Sequence, residues 1–258
     1  MKYVDLNSDI GEGYGAYKIT SDEAIINMIS SANIACGFHA GDANVMDQTV
    51  KLAKEKNVGI GAHPGFPDLM GFGRRMIHME SEEIYRMVAY QIGALQSFCL
   101  INGVSMQHVK PHGALYNLAA KDTEIAHAIA TAIYDIDKNL ILYGLAGSKL
   151  LTMGKKAGLK TASEVFADRT YQSDGTLTPR TSTNAVISND AEAVKQVLQM
   201  ITEGTVTATD GTKVPVQADT ICVHGDGEHA IQFASRLKVE LEQAGIQLKR
   251  IGDTNDEK

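Results

Sequence analysis

Cysteine is scarce in this chain: three residues, Cys36, Cys99 and Cys222, among 258. No two of them stand as C-x-x-C, which excludes the usual local zinc spacing, and they lie in apolar runs such as NIACGF and TICVHGD. They read as buried free thiols of a reducing compartment. No window approaches ~18 uninterrupted apolar residues, so no membrane span is expected. The first residues, MKYVDLNSDIGEG, offer no apolar h-region. The expectation is therefore a cytoplasmic chain without a signal peptide. A basic surplus is also missing: 24 Lys and Arg stand against 31 Asp and Glu, for a net charge of -7. That balance argues against nucleic-acid binding.

Several catalytic signatures are absent too. There is no G-x-S-x-G, and Gly154-Lys155 is followed by Lys156 rather than the Ser or Thr of a Walker A loop. SDIGEGYG, after the first strand-like run, does not fit the G-x-G-x-x-G of dinucleotide-binding folds. No Pro/Ser-rich linker and no internal repeat divides the chain. Residues 1–252 read as one domain, with a polar tail at 253–258.

What is present is alternation. Strand-like runs at 3–7, 32–38, 58–63, 106–112, 140–147, 160–167 and 219–226 are separated by stretches with helical apolar spacing at 21–30, 42–56, 81–103, 113–119, 122–136, 148–158, 189–204 and 227–245. A hairpin is expected over 205–217, turning on Asp210-Gly211. Strands that alternate with helices pair in parallel through right-handed crossovers. These strands read as nearly all apolar, as if covered on both faces. With no dinucleotide loop to favour an open sheet, the expected fold is α/β, a distorted (β/α) TIM-like barrel of about seven parallel strands.

Polar residues gather at the ends of these runs. Asp5, Asn7, Asp9 and Glu12 close the first, His39 and Asp42 the second, and His63 the third. Lys110 and His112 close the fourth, Glu164, Asp168 and Arg169 the sixth, and His224 and Asp226 the seventh. In a barrel all these ends share one face, where loops collect distant residues into one pocket. Asp42 also suits a helix N-cap. Arg74, in the loop GFGRR, suits an anion clamp. His78, His108 and His127 fall outside the pattern and read as structural or surface residues.

Three chemistries could use such a set. An Asp9/His39/His63 group suits a divalent metal, although no local spacing supports it. A metal-free hydrolase would activate water with a carboxylate or histidine and steady an oxyanion with Lys110 or Arg169. A nucleophilic enzyme would have to use Cys36, which is poorly placed in its apolar run.

The motifs LNSDIGEG (6–13), SANIACGFHAGD (31–42), GAHPGFPD (61–68), GFGRR (71–75), HVKPHGALYN (108–117), EVFADR (164–169), TPR (178–180) and VHGDGEHA (223–230) resemble, in order, the signature blocks of the LamB/YcsF family. The resemblance runs from about Tyr3 to about Ile251. One departure is Gly65, which stands where serine follows the His-Pro pair in many members of the family it resembles. The resemblance implies a barrel of the glycoside hydrolase/deacetylase type and the A component of an ATP-dependent 5-oxoprolinase. Such an enzyme cleaves the lactam of 5-oxo-L-proline to L-glutamate together with subunits B and C. ATP is the expected co-substrate, held here or by the partner subunits.

On this reading Asp9, His39, His63, Lys110, His112, Glu164, Asp168, Arg169, His224 and Asp226 are the catalytic candidates, and Asn7, Asp42 and Arg74 the substrate-binding ones. No metal ligand is assigned. The alternative is a free-standing, metal-dependent amide or N-acetyl hydrolase. A non-catalytic lactam-binding regulator is a third reading.

Overall fold

A computed structural model describes residues 2–17, 22–223 and 230–253. Seven strands close a parallel barrel in the order β1 (Lys2–Ile10), β2 (Ser31–Ala35), β3 (Gly59–His63), β4 (His108–Val109), β5 (Ile141–Leu145), β6 (Lys160–Phe166) and β9 (Thr220–Cys222), which returns to β1. A short strand, β10 (Ile246–Leu248), adds to the free amino-terminal part of β1, with Lys2 opposite Ile246. The sequence reading has no counterpart to it, because three residues are too few to set a period. Strand β4 is only two residues long, much shorter than the expected run at 106–112. Pro111 has no N–H to offer a ladder, which helps to stop it early. The hairpin is present as β7 (Thr205–Thr207) and β8 (Lys213–Pro215), outside the barrel.

The helices are α1 (Asp22–Ile25), α2 (Ala43–Glu55), α3 (Ser81–Ile101), α4 (Gly113–Ala119), α5 (Thr123–Ile136), α6 (Lys149–Ala157), α7 (Asp190–Glu203) and α8 (Ala230–Gln243). Several long helices begin where the chain supplies a cap. Asp42, Asp122 and Asn189 accept backbone N–H groups at the starts of α2, α5 and α7. Helix α3 closes a capping box between Glu80 and Glu83. The helices bury Val50, Ile84, Ile92, Leu95, Ile129, Val197 and Leu237 against the outward strand residues Leu6, Ile10, Ile34, Val109, Leu142, Val165 and Ile221. Burying this apolar surface is the main favourable contribution to folding.

The inside of the barrel corrects the expectation of apolar strands. On β1, Leu6 and Ile10 join the apolar layer under the helices, while Asp5, Asn7 and Asp9 face inward. The interior is built as polar tiers. In the lowest tier, Asp5 accepts hydrogen bonds from Ser30 (2.6 Å), Ser31 (2.7 Å), Tyr143 (3.2 Å) and Thr220 (2.5 Å). Burial raises its carboxyl pKa, and these four hydroxyls oppose the rise.

In the middle tier, Asn7 donates to Glu164 (3.0 Å) and Thr220 (2.7 Å) and accepts from Asn33 (2.7 Å). His108, expected to be structural or surface, is fully buried here. It bonds Asn33 Oδ1 at 2.8 Å and stacks on Tyr143 at 4.2 Å. Gly61 makes room for it, since a Cβ there would run into the His108 ring. Burial pushes its pKa down to about 3. Short polar side chains hidden in runs such as DLNSD and SANIA do not announce a wet interior, because apolar neighbours surround them.

Candidate active site

The top tier opens at the carboxyl ends of the strands into a cavity of about 730 Å³. Lys110 sits on its floor. The ammonium lies 3.0 Å from Asp9 Oδ1, 2.8 Å from Glu164 Oε1 and 3.2 Å from Asn7 Oδ1. It also donates to Cys222 Sγ at 3.2 Å. Burial alone would lower the pKa of Lys110, but the carboxylates of Asp9 and Glu164 outweigh it and hold the ammonium well above its usual range. Lys110 is therefore a fixed positive charge and not a base. Burial likewise pushes Asp9 upward, yet its charged and hydrogen-bonding neighbours, Lys110 at 3.0 Å among them, hold it well below the carboxylate range. Glu164 is completely buried and also receives the Tyr116 hydroxyl at 2.7 Å.

Beside this triad stands a group of histidines. His63 Nδ1 is 2.7 Å from the Lys110 carbonyl, and His63 Nε2 is 3.3 Å from Asp9 Oδ2. His112 Nε2 is 2.8 Å from the Phe72 carbonyl, while its Nδ1 is 2.9 Å from His63 Nε2. His39 stacks on His112 with ring centroids 3.8 Å apart and planes within 3°. Glu12 Oε1 approaches His39 Nε2 to 3.7 Å and His112 Nδ1 to 3.9 Å. Burial drives the pKa of His39 well below the imidazole range and that of His112 down to about 3.

Glycines make this density attainable. A Cβ on Gly65 would sit 2.6 Å from His39 Nδ1. Gly73 has φ +64°, and a Cβ there would press on both His39 and His112 at 2.7 Å. The loop carrying Gly73 is tied at its base by Asp68. That carboxylate accepts the backbone N–H of Gly71 at 2.9 Å and pairs with the Arg75 guanidinium.

The structure brings Asp9, His39, His63, Lys110, His112 and Glu164 together, and sets Arg74 and Arg169 on the cavity wall. The Arg74 guanidinium lies over the Phe72 ring at 5.1 Å. Arg169 is buried, and its donors reach the carbonyls of Ala185 (3.1 Å) and Thr178 (2.5 Å), so it braces the 178–185 segment as well as facing the cavity.

Three expected residues stand elsewhere. Asn7 lies below the floor as a buried hub and does not line the cavity. Asp42 does not line it either: it caps α2, accepting from Asn44 (2.8 Å) and Val45 (3.0 Å), and also receives the Gly15 N–H at 2.7 Å. Asp168 is outside the lining, and its carbonyl accepts from Ile187 N at 2.8 Å. His224 and Asp226 lie outside the described residues.

Tyr116 and Cys222 join the site without having been candidates from the sequence, and Glu12, read there as a rim residue, joins it without having been given a role. Glu12 and Tyr116 sit inside the blocks LNSDIGEG and HVKPHGALYN, but nothing in one sequence says which residue of a block turns inward. Cys36, the thiol considered as a nucleophile, bonds the Ile34 carbonyl at 3.2 Å, and burial pushes it up to about 12.

Fold and site together define a parallel (β/α) barrel protein with an ionised pocket at the carboxyl ends of its strands, the arrangement of barrel enzymes. The chain matches the LamB/YcsF family over residues 4–256. It is 58% identical over 253 residues to the A subunit of 5-oxoprolinase from Halalkalibacterium halodurans, with 98% of each chain covered. The protein of the same name from Bacillus subtilis is 55% identical over 253 residues, again with 98% of each covered. The crystal structure of a lactam utilization protein from Thermus thermophilus superposes with a TM-score of 0.91 at 46% identity, covering 96% of this chain and 99% of that one. The chain belongs to the LamB/YcsF family.

Proposed function

We propose that this chain is the A component of an ATP-dependent 5-oxoprolinase, opening the lactam of 5-oxo-L-proline to L-glutamate in concert with subunits B and C. The observation that carries this reading is the 58% identity, over essentially the full length, to a relative named as the A subunit of 5-oxoprolinase. The cavity adds chemical support. A lactam is a stable amide, so its cleavage calls for a stronger electrophile, a general base for water and a positive charge near the oxygen that becomes anionic. ATP supplies the electrophile by phosphorylating the lactam oxygen.

The chain's own residues divide the remaining work. Asp9 borders the cavity at its floor, so it is the carboxylate placed to receive the proton of water. Lys110 keeps Asp9 and Glu164 in place and presents its charge at the floor. Arg74 and Arg169 on the wall suit the anionic groups of substrate and intermediate.

Reconstitution tests the reading. The isolated chain releases no glutamate from 5-oxoproline. Adding subunits B and C with ATP restores release, and Asp9→Ala or Lys110→Ala abolishes it in the same mixture. Full activity of the complex carrying both substitutions would overturn the site assignment. Release by the isolated chain without ATP would favour a free-standing amide hydrolase instead. No helix among the described residues is long and apolar enough to cross a membrane, and the cytoplasm is the proposed location.

A further inference from the structure

The histidine group contains a hydrogen-bonding contradiction. A carbonyl oxygen only accepts, so His63 Nδ1, 2.7 Å from the Lys110 carbonyl, must carry a hydrogen. By the same argument His112 Nε2, 2.8 Å from the Phe72 carbonyl, carries one. In neutral rings the remaining nitrogens, His63 Nε2 and His112 Nδ1, are then both bare lone pairs, and they face each other at 2.9 Å. Two more acceptors close on the same space, Asp9 Oδ2 at 3.3 Å from His63 and Glu12 Oε1 at 3.9 Å from His112. His39 is 1% exposed, and neither of its ring nitrogens has a hydrogen-bond partner among the described residues. A buried polar group left in that state is costly unless something binds it.

We propose that Glu12, His39, His63 and His112 form a binding site for one first-row divalent cation such as Zn²⁺, Mn²⁺ or Co²⁺. One ligand atom from each residue falls within 4.8 Å of all the others. Ligands at ~2.0–2.2 Å from a shared centre lie ~3–4 Å apart, so small ring movements complete the set. Three imidazoles and one carboxylate suit these metals better than calcium or magnesium, which prefer all-oxygen shells. The carbonyls of Lys110 and Phe72 act as the outer partners that fix ring orientation and tautomer in histidine metal sites. Glu12, His63 and His112 border the cavity, so the cation would face whatever the cavity holds. The proposal concerns binding and stands on donor chemistry, independently of the reaction proposed above.

The test uses the full chain stripped with chelator and then titrated with Zn²⁺ or Co²⁺ alone. Calorimetry should give one equivalent per chain. Co²⁺ should develop visible absorption bands of a nitrogen-rich site, and the thermal midpoint should rise. His112→Ala and His39→Gln should each weaken binding by about 100-fold or more, while His78→Ala, at a well-exposed histidine, leaves it unchanged. Circular dichroism of each variant guards against misfolding. Nitrogen NMR offers an independent readout, with His63 Nε2 and His112 Nδ1 shifting on addition of Zn²⁺.

No saturable binding to the wild-type chain, or equal binding by folded His39→Gln and His112→Ala chains, overturns the proposal. NMR showing His63 and His112 sharing a proton, unmoved by Zn²⁺, overturns it as well. A chain that binds one cation but releases no glutamate with its partners counts only against the reaction, and the reverse result counts only against the metal.

Discussion

Lys110 Nζ and Glu164 Oε1 lie 2.8 Å apart, with the lysine side chain 3% exposed and that of the glutamate 0%. One cation thus answers two carboxylates at the barrel floor, Glu164 and Asp9. Removing one partner of such a set costs more than the pair itself contributes, because it strands buried charge. Lys110→Met should lower unfolding free energy by about 3–5 kcal/mol in urea titrations. Lys110→Met combined with Glu164→Gln should recover a good part of that loss, since much of the stranded charge is gone. Glutamate release by the reconstituted complex should stay abolished in both. Restored release in the double variant would mean that the lysine only balances charge.

Asn7 is the hub that joins the floor to the tier below. It gives its amide hydrogens to Glu164 and Thr220, and its oxygen takes bonds from Asn33 and Lys110. Asn7→Leu should therefore destabilise the chain by about 2 kcal/mol or more, although leucine is the more apolar residue. A urea midpoint equal to wild type would mean that the tiers rearrange around the change.

The outline of the barrel was legible because helix and strand periods alternate over the whole chain and because Asp42 suits a helix start, where the structure places it. The rim was legible for a different reason: His39, His63 and Lys110 are expensive at strand ends unless something uses or pairs them. The interior was not legible. Asp5 and Asn33 are satisfied, and His108 is held through Nε2, by partners up to 215 residues away, as with Asp5 and Thr220, and no local pattern encodes such pairing. Asp42 misled for the converse reason, since an aspartate at a rim and an aspartate at a helix start read alike.

The three thiols should be inert in the folded protein. Burial pushes Cys36 up to about 12 and Cys99 to about 11. Cys222 is also driven well above its ordinary value, first by burial and then by Asp9 and Glu164, against the opposing pull of Lys110. Only the thiolate attacks a disulfide reagent. Ellman's reagent at about pH 8 should therefore titrate no cysteine in the native chain and three per chain in guanidinium. Rapid native reaction at a single site would show that the floor around Cys222 is open.

Acid should loosen the loop over the cavity through Asp68. Hydrogen bonds from the Arg75 side chain, with the Arg75 and Gly71 N–H groups, hold its carboxyl below the ordinary aspartate value. A carboxyl with a depressed folded pKa contributes stability that is fully present above its unfolded pKa. That contribution is lost as pH falls through the lower folded value. Asp68→Asn removes the charge but keeps the size. The gap in urea midpoint between wild type and Asp68→Asn should thus be largest and constant at about pH 5–7 and should narrow as pH drops below about 4. The same loop carries the Phe72 carbonyl that orients His112 and the glycine that makes room for His39. The variant should therefore also admit protease into residues 68–75 at neutral pH, where the wild-type loop resists. A gap that widens with acid would reverse the sign and exclude the Asp68–Arg75 pair as the loop's fastening.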